Sequence, residues 1–178
     1  FIILYPRAKF FWSYGAIARG VMGIFTLLPC WIAINLTREE DGSWPLLFLL
    51  LFIWGADSAA YFVGKKWGKT KLAPQVSPGK SIQGLIGAFL FTILLSTLIA
   101  YWMNLPPARW LSFMSLGLLT VIFSVIGDLF ESMLKREVGL KDSGALLPGH
   151  GGLLDRIDSL TTAAPVFAFI SWRLSMYL

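Results

Sequence analysis

Charged side chains are scarce in this chain of 178 residues. Asp, Glu, Lys and Arg make up 14% of it, whereas soluble domains carry about a quarter. Hydrophobic residues make up 56%, and the mean hydropathy is +0.69. A water-soluble globule of this length could not bury so much apolar surface, and the excess would form aggregating patches. The composition therefore excludes a soluble globular protein and predicts that lipid surrounds most of the chain.

Cysteine is nearly absent as well, and an initiator methionine is missing. The one cysteine, Cys30, cannot form an internal disulfide, and in its apolar run it is typical of a small buried hydrophobe. The chain opens with apolar residues before Pro6 and has no basic stretch of the kind that opens a signal peptide. We therefore expect residues 1–178 to be a single transmembrane domain, the C-terminal part of a longer chain whose leading helices are missing.

Long apolar runs are abundant, and a helix that spans a membrane needs about 20 such residues. Two connections between the runs are short and contain the turn-forming pairs Asp41-Gly42 and Pro106-Pro107. Two others, 65–84 and 131–156, are long, polar and rich in Gly, Pro and Lys. The sequence predicts an all-α, polytopic membrane protein with about five transmembrane helices and two long loops. The predicted spans are 15–36, 44–64, 85–103, 110–129 and 157–177.

Basic residues are distributed unequally between the two ends of these spans. If the first span starts in the cytoplasm, twelve Lys and Arg lie on the cytoplasmic side and three on the other, which accounts for all fifteen. Because basic residues in short loops favour the cytoplasm, both long loops are expected there. Anionic lipid headgroups are a secondary attraction for this charge. Nucleic acid is not an expected partner, since the basic residues flank the spans and form no separate domain.

Two carboxylates fall inside or at the end of apolar runs. Asp57 interrupts the second span, and Asp128 ends the fourth. Such a residue usually faces a partner or a wet cavity, although near the interface it can also extend to water. Both interpretations stand for Asp57. For Asp128, the residues Glu131, Ser132 and Lys135 follow at helical spacing on one face, and this mixture suits a hard cation with its phosphate ligand.

A second polar motif precedes the last span. Glycines surround His150, and a predicted helix N-terminus follows at once. The free N–H groups of a helix N-terminus attract phosphate. Asp155 and Asp158 lie three residues apart and can share a face. A glycine-rich turn capped by Asp158 would explain part of this pattern, but it leaves the other Asp, Arg156 and His150 unexplained; the role of His150 stays open.

The first long loop contains Ser77-Pro78-Gly79-Lys80-Ser81. It lacks the earlier glycine and the preceding strand of a phosphate-binding P-loop. Lys80 has two interpretations. A rigid Ser-Pro turn presents it to a nucleotide phosphate, or it is one of the ordinary lysines that favour the cytoplasmic side. For Lys65 and Lys66 the second interpretation is preferred. Carboxylates and phosphate-seeking groups thus converge from at least three segments, as metal-assisted phosphoryl or nucleotidyl transfer requires.

Ser132–Arg136, Lys141–Gly144, Leu147–Gly152 and Asp155–Asp158 together resemble the signature of the phosphatidate cytidylyltransferases, or CDP-diacylglycerol synthases. Segments 57–61 and 77–84 also resemble that family. The resemblance implies an enzyme of phospholipid biosynthesis in the bacterial inner membrane that faces the cytoplasm. It would transfer CMP from CTP to phosphatidate, with Mg²⁺ in a two-cation site, and a homodimer is one assembly that it allows.

The same resemblance implies roles for individual residues. The implied catalytic residues are Asp128, Lys135 and Asp155; the implied metal ligands are Asp128, Asp155 and Asp158. The implied substrate-binding residues are Ser77, Lys80, Ser132, Arg136, Lys141, His150, Gly151, Gly152 and Arg156.

The chain departs from the family pattern in two places, because many members have Glu at the position of Gln83 and Thr at that of Ser81. We therefore assign Gln83 no ionic role. Two other functions fit some of the same features. A CTP-dependent polyprenol or phytol kinase would use similar phosphate-binding groups, and an ion-coupled transporter would use intramembrane Asp57 and Asp128. Against the transporter, the polar clusters lie mainly on one side and no internal repeat is evident.

Overall fold

The computed structural model describes residues 16–40, 43–137, 139–140, 143–144, 152 and 154–175. This described part contains five α-helices and one short antiparallel hairpin. In chain order the elements are α1 (Ala16–Glu40), α2 (Ser43–Trp67), β1 (Lys71–Ala73), β2 (Ser77–Ser81), α3 (Ile82–Trp102), α4 (Pro107–Glu137) and α5 (Leu154–Ser175).

Within the described residues, α1 to α4 are long and apolar enough to cross a membrane. Helix α5 has 22 residues, about 33 Å at the usual rise, but its first turns carry charge and it falls outside that group. Large apolar side chains such as Phe25 and Leu111 are more than 70% exposed on the outside of the bundle. Such a surface suits lipid rather than water. The predicted all-helical, multi-pass architecture is confirmed, and each predicted span corresponds to one helix.

Local sequence explains the ends of α3. The Ser81 hydroxyl accepts a hydrogen bond from the Gly84 N–H at 3.1 Å and caps the helix N-terminus. At the other end Asn104 takes a left-handed conformation, with φ of 53°, and the Leu105 N–H reaches back to the Ala100 carbonyl. Pro107 then starts α4, where a missing N–H costs nothing. The predicted Pro106-Pro107 connection is confirmed; the Asp41-Gly42 turn lies outside the described residues.

Small residues let the helices approach closely. A Cβ atom on Gly87 would lie 2.6 Å from a Val63 methyl group, so α3 and α2 touch there. A Cβ atom on Gly127 would lie 2.5 Å from the Thr162 hydroxyl and 2.6 Å from the Asp158 carbonyl. Helices α4 and α5 therefore meet at Gly127, which brings the carboxylate end of α4 beside the start of α5.

The hairpin is the main feature that the sequence did not predict. Strands β1 and β2 pair with Lys71 opposite Ser81 and Ala73 opposite Ser77. The predicted Ser77-Pro78 turn was wrong, because these residues begin β2 and the turn lies at 74–76. Lys80 belongs to a strand rather than to a phosphate-wrapping loop, which agrees with the rejection of a P-loop.

The hairpin packs against the end of α4. The Val76 side chain is 2% exposed and packs with Leu129 and Met133 of that helix. Helix α4 runs without interruption through Glu137, so the apolar span and the polar stripe that follows it form one rigid element. This arrangement fixes the hairpin and the stripe relative to each other.

Candidate active site

Lys80 and Asp128 form the first ion pair of the site. The hairpin presents Lys80 to α4, and its Nζ lies 2.5 Å from Oδ2 of Asp128. The Ser132 hydroxyl, one turn further along α4, donates to the other oxygen, Oδ1, at 3.3 Å. Both side chains of the ion pair are about a quarter exposed, so a ligand can still reach them. Lys80, Asp128 and Ser132, three of the predicted site residues, therefore lie together.

Lys135 and Asp155 form the second ion pair, which joins α4 to α5. Lys135 Nζ lies 2.6 Å from Asp155 Oδ1 and 3.2 Å from Oε2 of Glu131. The side chains of Lys135 and Asp155 are 15% and 11% exposed, which makes this pair more buried than the first. Since Asp128 and Lys135 are seven residues apart, the two pairs lie about 10 Å apart along one face of α4.

The second oxygen of Asp155 accepts hydrogen bonds from residues before and at the end of the glycine-rich segment. Oδ2 accepts the Ser143 N–H at 2.9 Å, the Ser143 hydroxyl at 3.0 Å and the Gly152 N–H at 2.7 Å. A Cβ atom at Gly152 would collide with the Ser143 hydroxyl and the Gly144 nitrogen, so only glycine fits there. Asp155 therefore holds Ser143 and Gly152 side by side, and its Oδ1 alone faces Lys135.

These contacts also set the ionisation of Asp155. Burial acts to raise the pKa of this carboxyl, but the hydrogen bonds from Lys135, Gly152 and Ser143 outweigh burial and hold the pKa well below its ordinary value. Asp155 is consequently a carboxylate throughout the physiological range. It can accept hydrogen bonds or a cation, but it cannot donate a proton there.

Two further carboxyl groups lie near the ion pairs. Glu131 on α4 and Asp158 on α5 line the same cavity, and Oε1 of Glu131 is buried and has no hydrogen-bond partner among the described residues. Asp57 on α2 lies within electrostatic range of Lys80, Asp128 and Asp158. We call Asp57, Lys80, Asp128, Glu131, Lys135, Asp155 and Asp158 the charged cluster.

The other predicted site residues are distributed differently. Gly152 lies in the cluster through Asp155, as described. Arg136 donates to the backbone carbonyls of Val76 and Leu140, both at 3.4 Å. Ser77 is part of β2, paired with Ala73, and Arg156 is exposed on the first turn of α5. Lys141, His150 and Gly151 lie outside the described residues.

The predicted metal ligands do not form a preassembled cage. Among the described residues no group of three or more His, Cys, Asp or Glu is arranged to hold a metal ion. Asp128 and Asp155 each have a lysine as neighbour instead. Magnesium, however, is commonly held by one or two carboxylates together with substrate phosphates. The donor chemistry fits Mg²⁺ that arrives with a polyphosphate, and the two-cation site stays a prediction.

An apolar cavity adjoins the charged cluster. It has a volume of about 270 Å³ and lies between α1, α4 and α5. Met22, Leu27, Phe130 and Leu134 contribute to its apolar wall, and Glu131 and Asp158 line it as well. A molecule with one charged end and one apolar end therefore fits this part of the bundle.

Sequence reasoning missed Ser143 and Val76 as parts of the site. Ser143 lies in a motif that was noticed, but its contact with Asp155 spans twelve residues and is not visible in any local spacing. Val76 lies in a segment rich in Pro, Gly and Ser, a composition that indicates a loop. A single apolar residue between two prolines was the only available sign that the segment packs against the bundle.

The fold is that of a multi-pass membrane protein, and the charged cluster lies at one end of its helices. The sequence pattern of the cytidylyltransferase family matches residues 2–173. The chain belongs to this family.

Curated relatives agree with that assignment. The chain is 42% identical over 178 residues to the phosphatidate cytidylyltransferase of Haemophilus influenzae, with 94% of this chain and 62% of the relative covered. It is 43% identical to the phosphatidate cytidylyltransferase of Pseudomonas aeruginosa, with 96% and 63% covered. It is also 41% identical to the uncharacterized protein YnbB of Escherichia coli, with 93% and 54% covered. The chain thus spans less than two thirds of the length of these relatives.

Proposed function

We propose that this protein is a phosphatidate cytidylyltransferase, which transfers CMP from CTP to phosphatidate and releases pyrophosphate. The observation that carries the proposal is the pair of contacts Lys80–Asp128 and Lys135–Asp155 on one face of the site. The relatives named phosphatidate cytidylyltransferase support the choice of substrates.

The two lysines supply the phosphate-binding groups. In the structure each lysine is paired with an aspartate. Each aspartate also accepts at least one further hydrogen bond. A polyphosphate that approaches this face competes with Asp128 and Asp155 for the ammonium groups. Because a pre-positioned charge needs little reorganisation, Lys80 and Lys135 can stabilise negative charge that develops during the reaction.

The chemical step is an in-line displacement at phosphorus. An oxygen of the phosphatidate phosphate attacks the α-phosphorus of CTP, and a new P–O bond forms. The bond from the α-phosphorus to the oxygen that bridges to the β-phosphorus breaks, and pyrophosphate leaves with that electron pair. A phosphate monoester is already largely ionised near neutral pH, so the step needs no strong general base.

Positioning and charge neutralisation therefore account for most of the catalysis. Asp128, Asp158 and Oδ1 of Asp155 are the groups that would hold magnesium. When bound, Mg²⁺ would neutralise phosphate charge and favour departure of pyrophosphate.

The apolar cavity supports the lipid half of the proposal. Its wall is apolar and lies within the bundle, whereas Glu131 and Asp158 place it beside the charged cluster. An acyl chain of phosphatidate can occupy such a cavity while the phosphate stays among the charged groups.

The active site is proposed to face the cytoplasm of a bacterial inner membrane. Lys80, Lys135 and Arg136 lie at the same ends of the helices as Lys65 and Lys66. The excess of basic residues at this end supports the orientation, because such residues are retained on the cytoplasmic side.

The proposal is tested with the purified full chain in mixed micelles that contain CTP, phosphatidate and Mg²⁺. We expect one pyrophosphate for each CDP-diacylglycerol, both measured by mass spectrometry, and no product when phosphatidate is omitted or EDTA is added. Asp128→Asn, which keeps the side-chain shape but removes the charge, should abolish product; Lys69→Ala, at an exposed lysine, should not. In parallel assays, formation of CDP and a phosphorylated polyprenol when polyprenol replaces phosphatidate would show a kinase instead, and ion flux without CTP consumption in reconstituted vesicles would show a transporter.

A further inference from the structure

Gln83, on the first turn of α3, binds the chain that enters the hairpin. Its Oε1 accepts two consecutive backbone N–H groups, from Lys69 at 3.1 Å and from Thr70 at 3.2 Å. Its amide nitrogen donates to the Thr70 hydroxyl at 3.4 Å. We call this set of contacts the Gln83 clamp.

The clamp lies where the hairpin needs support. Strand β1 has three residues, and a two-stranded hairpin is marginally stable alone. The Ile82 N–H donates to the Thr70 carbonyl at 2.9 Å, beside the clamp, and Lys71 then pairs with Ser81. The open end of the hairpin is thus fixed to α3 by one backbone bond and by the Gln83 side chain.

The rest of the hairpin is fixed to α4. Val76 is buried against Leu129 and Met133 near the turn, and Arg136 donates to the Val76 carbonyl. Lys80 lies between these two attachments and extends to Asp128. The distance between Lys80 and Asp128 therefore depends on a short hairpin that is held at its open end by the clamp and near its turn by Val76.

We propose that Gln83 is a positioning residue for Lys80, and that it acts through the β1–β2 hairpin rather than by contact with substrate. This inference rests on the proposed function, since it assigns Lys80 a role in phosphate binding. Glutamine and glutamate both offer a side-chain oxygen to the two N–H groups. The oxygen, and not the charge, is what the contact requires.

The first test measures the clamp directly. Hydrogen–deuterium exchange is followed by mass spectrometry over peptides that cover residues 68–81 in the full chain, for the wild type and for Gln83→Leu. The amides of Lys69 and Thr70 should exchange faster in Gln83→Leu, together with those of the hairpin. Gln83→Glu should keep the protection, and Gln75→Leu, at the chain's other glutamine, exposed at the turn, should leave it unchanged. Unchanged exchange in Gln83→Leu would overturn the proposal, whatever reaction the protein catalyses.

The second test asks whether the effect passes through Lys80. The rate of CDP-diacylglycerol formation is measured in a double-mutant cycle with Gln83→Leu, Lys80→Ala and the combined variant. Gln83→Leu alone should lower kcat/KM by about tenfold, in line with the loss of hydrogen bonds to two backbone groups. Combined with Lys80→Ala it should add less than about twofold, because Lys80 is then already absent. Gln83→Glu should restore the rate to within about threefold of the wild type.

The outcomes separate the two claims. A wild type that forms no CDP-diacylglycerol refutes the proposed function, and with it the role of Lys80. An active wild type in which the two substitutions multiply their effects refutes the positioning role alone. Faster exchange, a non-additive cycle and rescue by Gln83→Glu together support it.

Discussion

The ion pair between Lys135 and Asp155 gives the sharpest quantitative prediction about the stability of the site. It is the more buried of the two pairs, and it joins α4 to α5. Replacement of either residue by alanine leaves the other charge partly buried with fewer partners. We expect each single variant to be destabilised, and the two effects to be strongly coupled.

The magnitude follows from the separation of the charges. Nζ and Oδ1 lie 2.6 Å apart. Coulomb's law gives about 1.6 kcal/mol at that distance in water and about 6 kcal/mol at an effective dielectric constant of about 20. Desolvation of both groups offsets part of this attraction. We therefore expect a coupling free energy of about 2 kcal/mol.

The assay is a double-mutant cycle on the free energy of unfolding. Wild type, Lys135→Ala, Asp155→Ala and the combined variant are unfolded by denaturant in detergent micelles and followed by tryptophan fluorescence. The cycle cancels the loss of the Ser143 and Gly152 contacts, which occurs in every variant without Asp155. Lys69→Ala in combination with Asp155→Ala is the matched control, and its effects should add. A coupling below about 0.5 kcal/mol for Lys135 and Asp155 would refute the structural role given to this pair.

Three further predictions follow from other contacts. Asp128→Ala should abolish nucleotidyl transfer, because Lys80 loses its partner and the site loses a carboxylate; near-normal turnover would contradict the role of Asp128. Gly127→Ala should lower the stability measured by thermal unfolding by about 1–3 kcal/mol, since its methyl group would press on the Asp158 carbonyl and Thr162. Gly79→Ala, with open space around it, should be neutral in the same assay. The pKa of Asp155 is lower in the folded than in the unfolded chain, so its carboxylate should stabilise the fold above about pH 5 and lose that contribution as the pH falls below about 4. The difference in unfolding free energy between wild type and Asp155→Asn should therefore shrink as the pH falls. A constant difference would show that Asp155 is not ionised as described.

The helices could be predicted from sequence because a membrane span has a simple requirement. Each predicted apolar run corresponds to a helix, with ends that differ by a few residues where polar turns continue the helical hydrogen bonding. The longest difference is at α4, where the polar stripe after Leu129 continues the same helix through Glu137. Hydropathy detects where lipid ends, but it does not detect where a helix ends.

The contents of the site could be predicted in part. The helical spacing of Asp128, Ser132 and Lys135 placed them on one face, and the structure confirms that placement. The partners of these residues could not be predicted, because Lys80 lies 48 positions before Asp128 and Asp155 lies 20 after Lys135. Such pairs depend on how the helices and the hairpin pack, and that packing depends on close contacts such as Gly127 against Asp158.

Arg136 and Gln83 show what residue type alone does not reveal. The substrate-binding role of Arg136 stays a prediction, and in the structure Arg136 donates to the backbone carbonyls of Val76 and Leu140. A glutamine in place of glutamate predicts a lost ionic role, yet the Gln83 oxygen binds two backbone N–H groups. In both cases the contacts depend on where the fold places the side chain, which local sequence does not reveal.

The central claim is that the charged cluster catalyses transfer of the cytidylyl group. It is tested most directly with CTP labelled with ³²P at either the α- or the γ-phosphate, in the presence of phosphatidate and Mg²⁺. The account predicts that the α-label enters the lipid fraction, that the γ-label leaves as pyrophosphate, and that Asp128→Asn prevents both. Entry of the γ-label into lipid, or retention of both labels in CTP while the purified protein is folded, would contradict it.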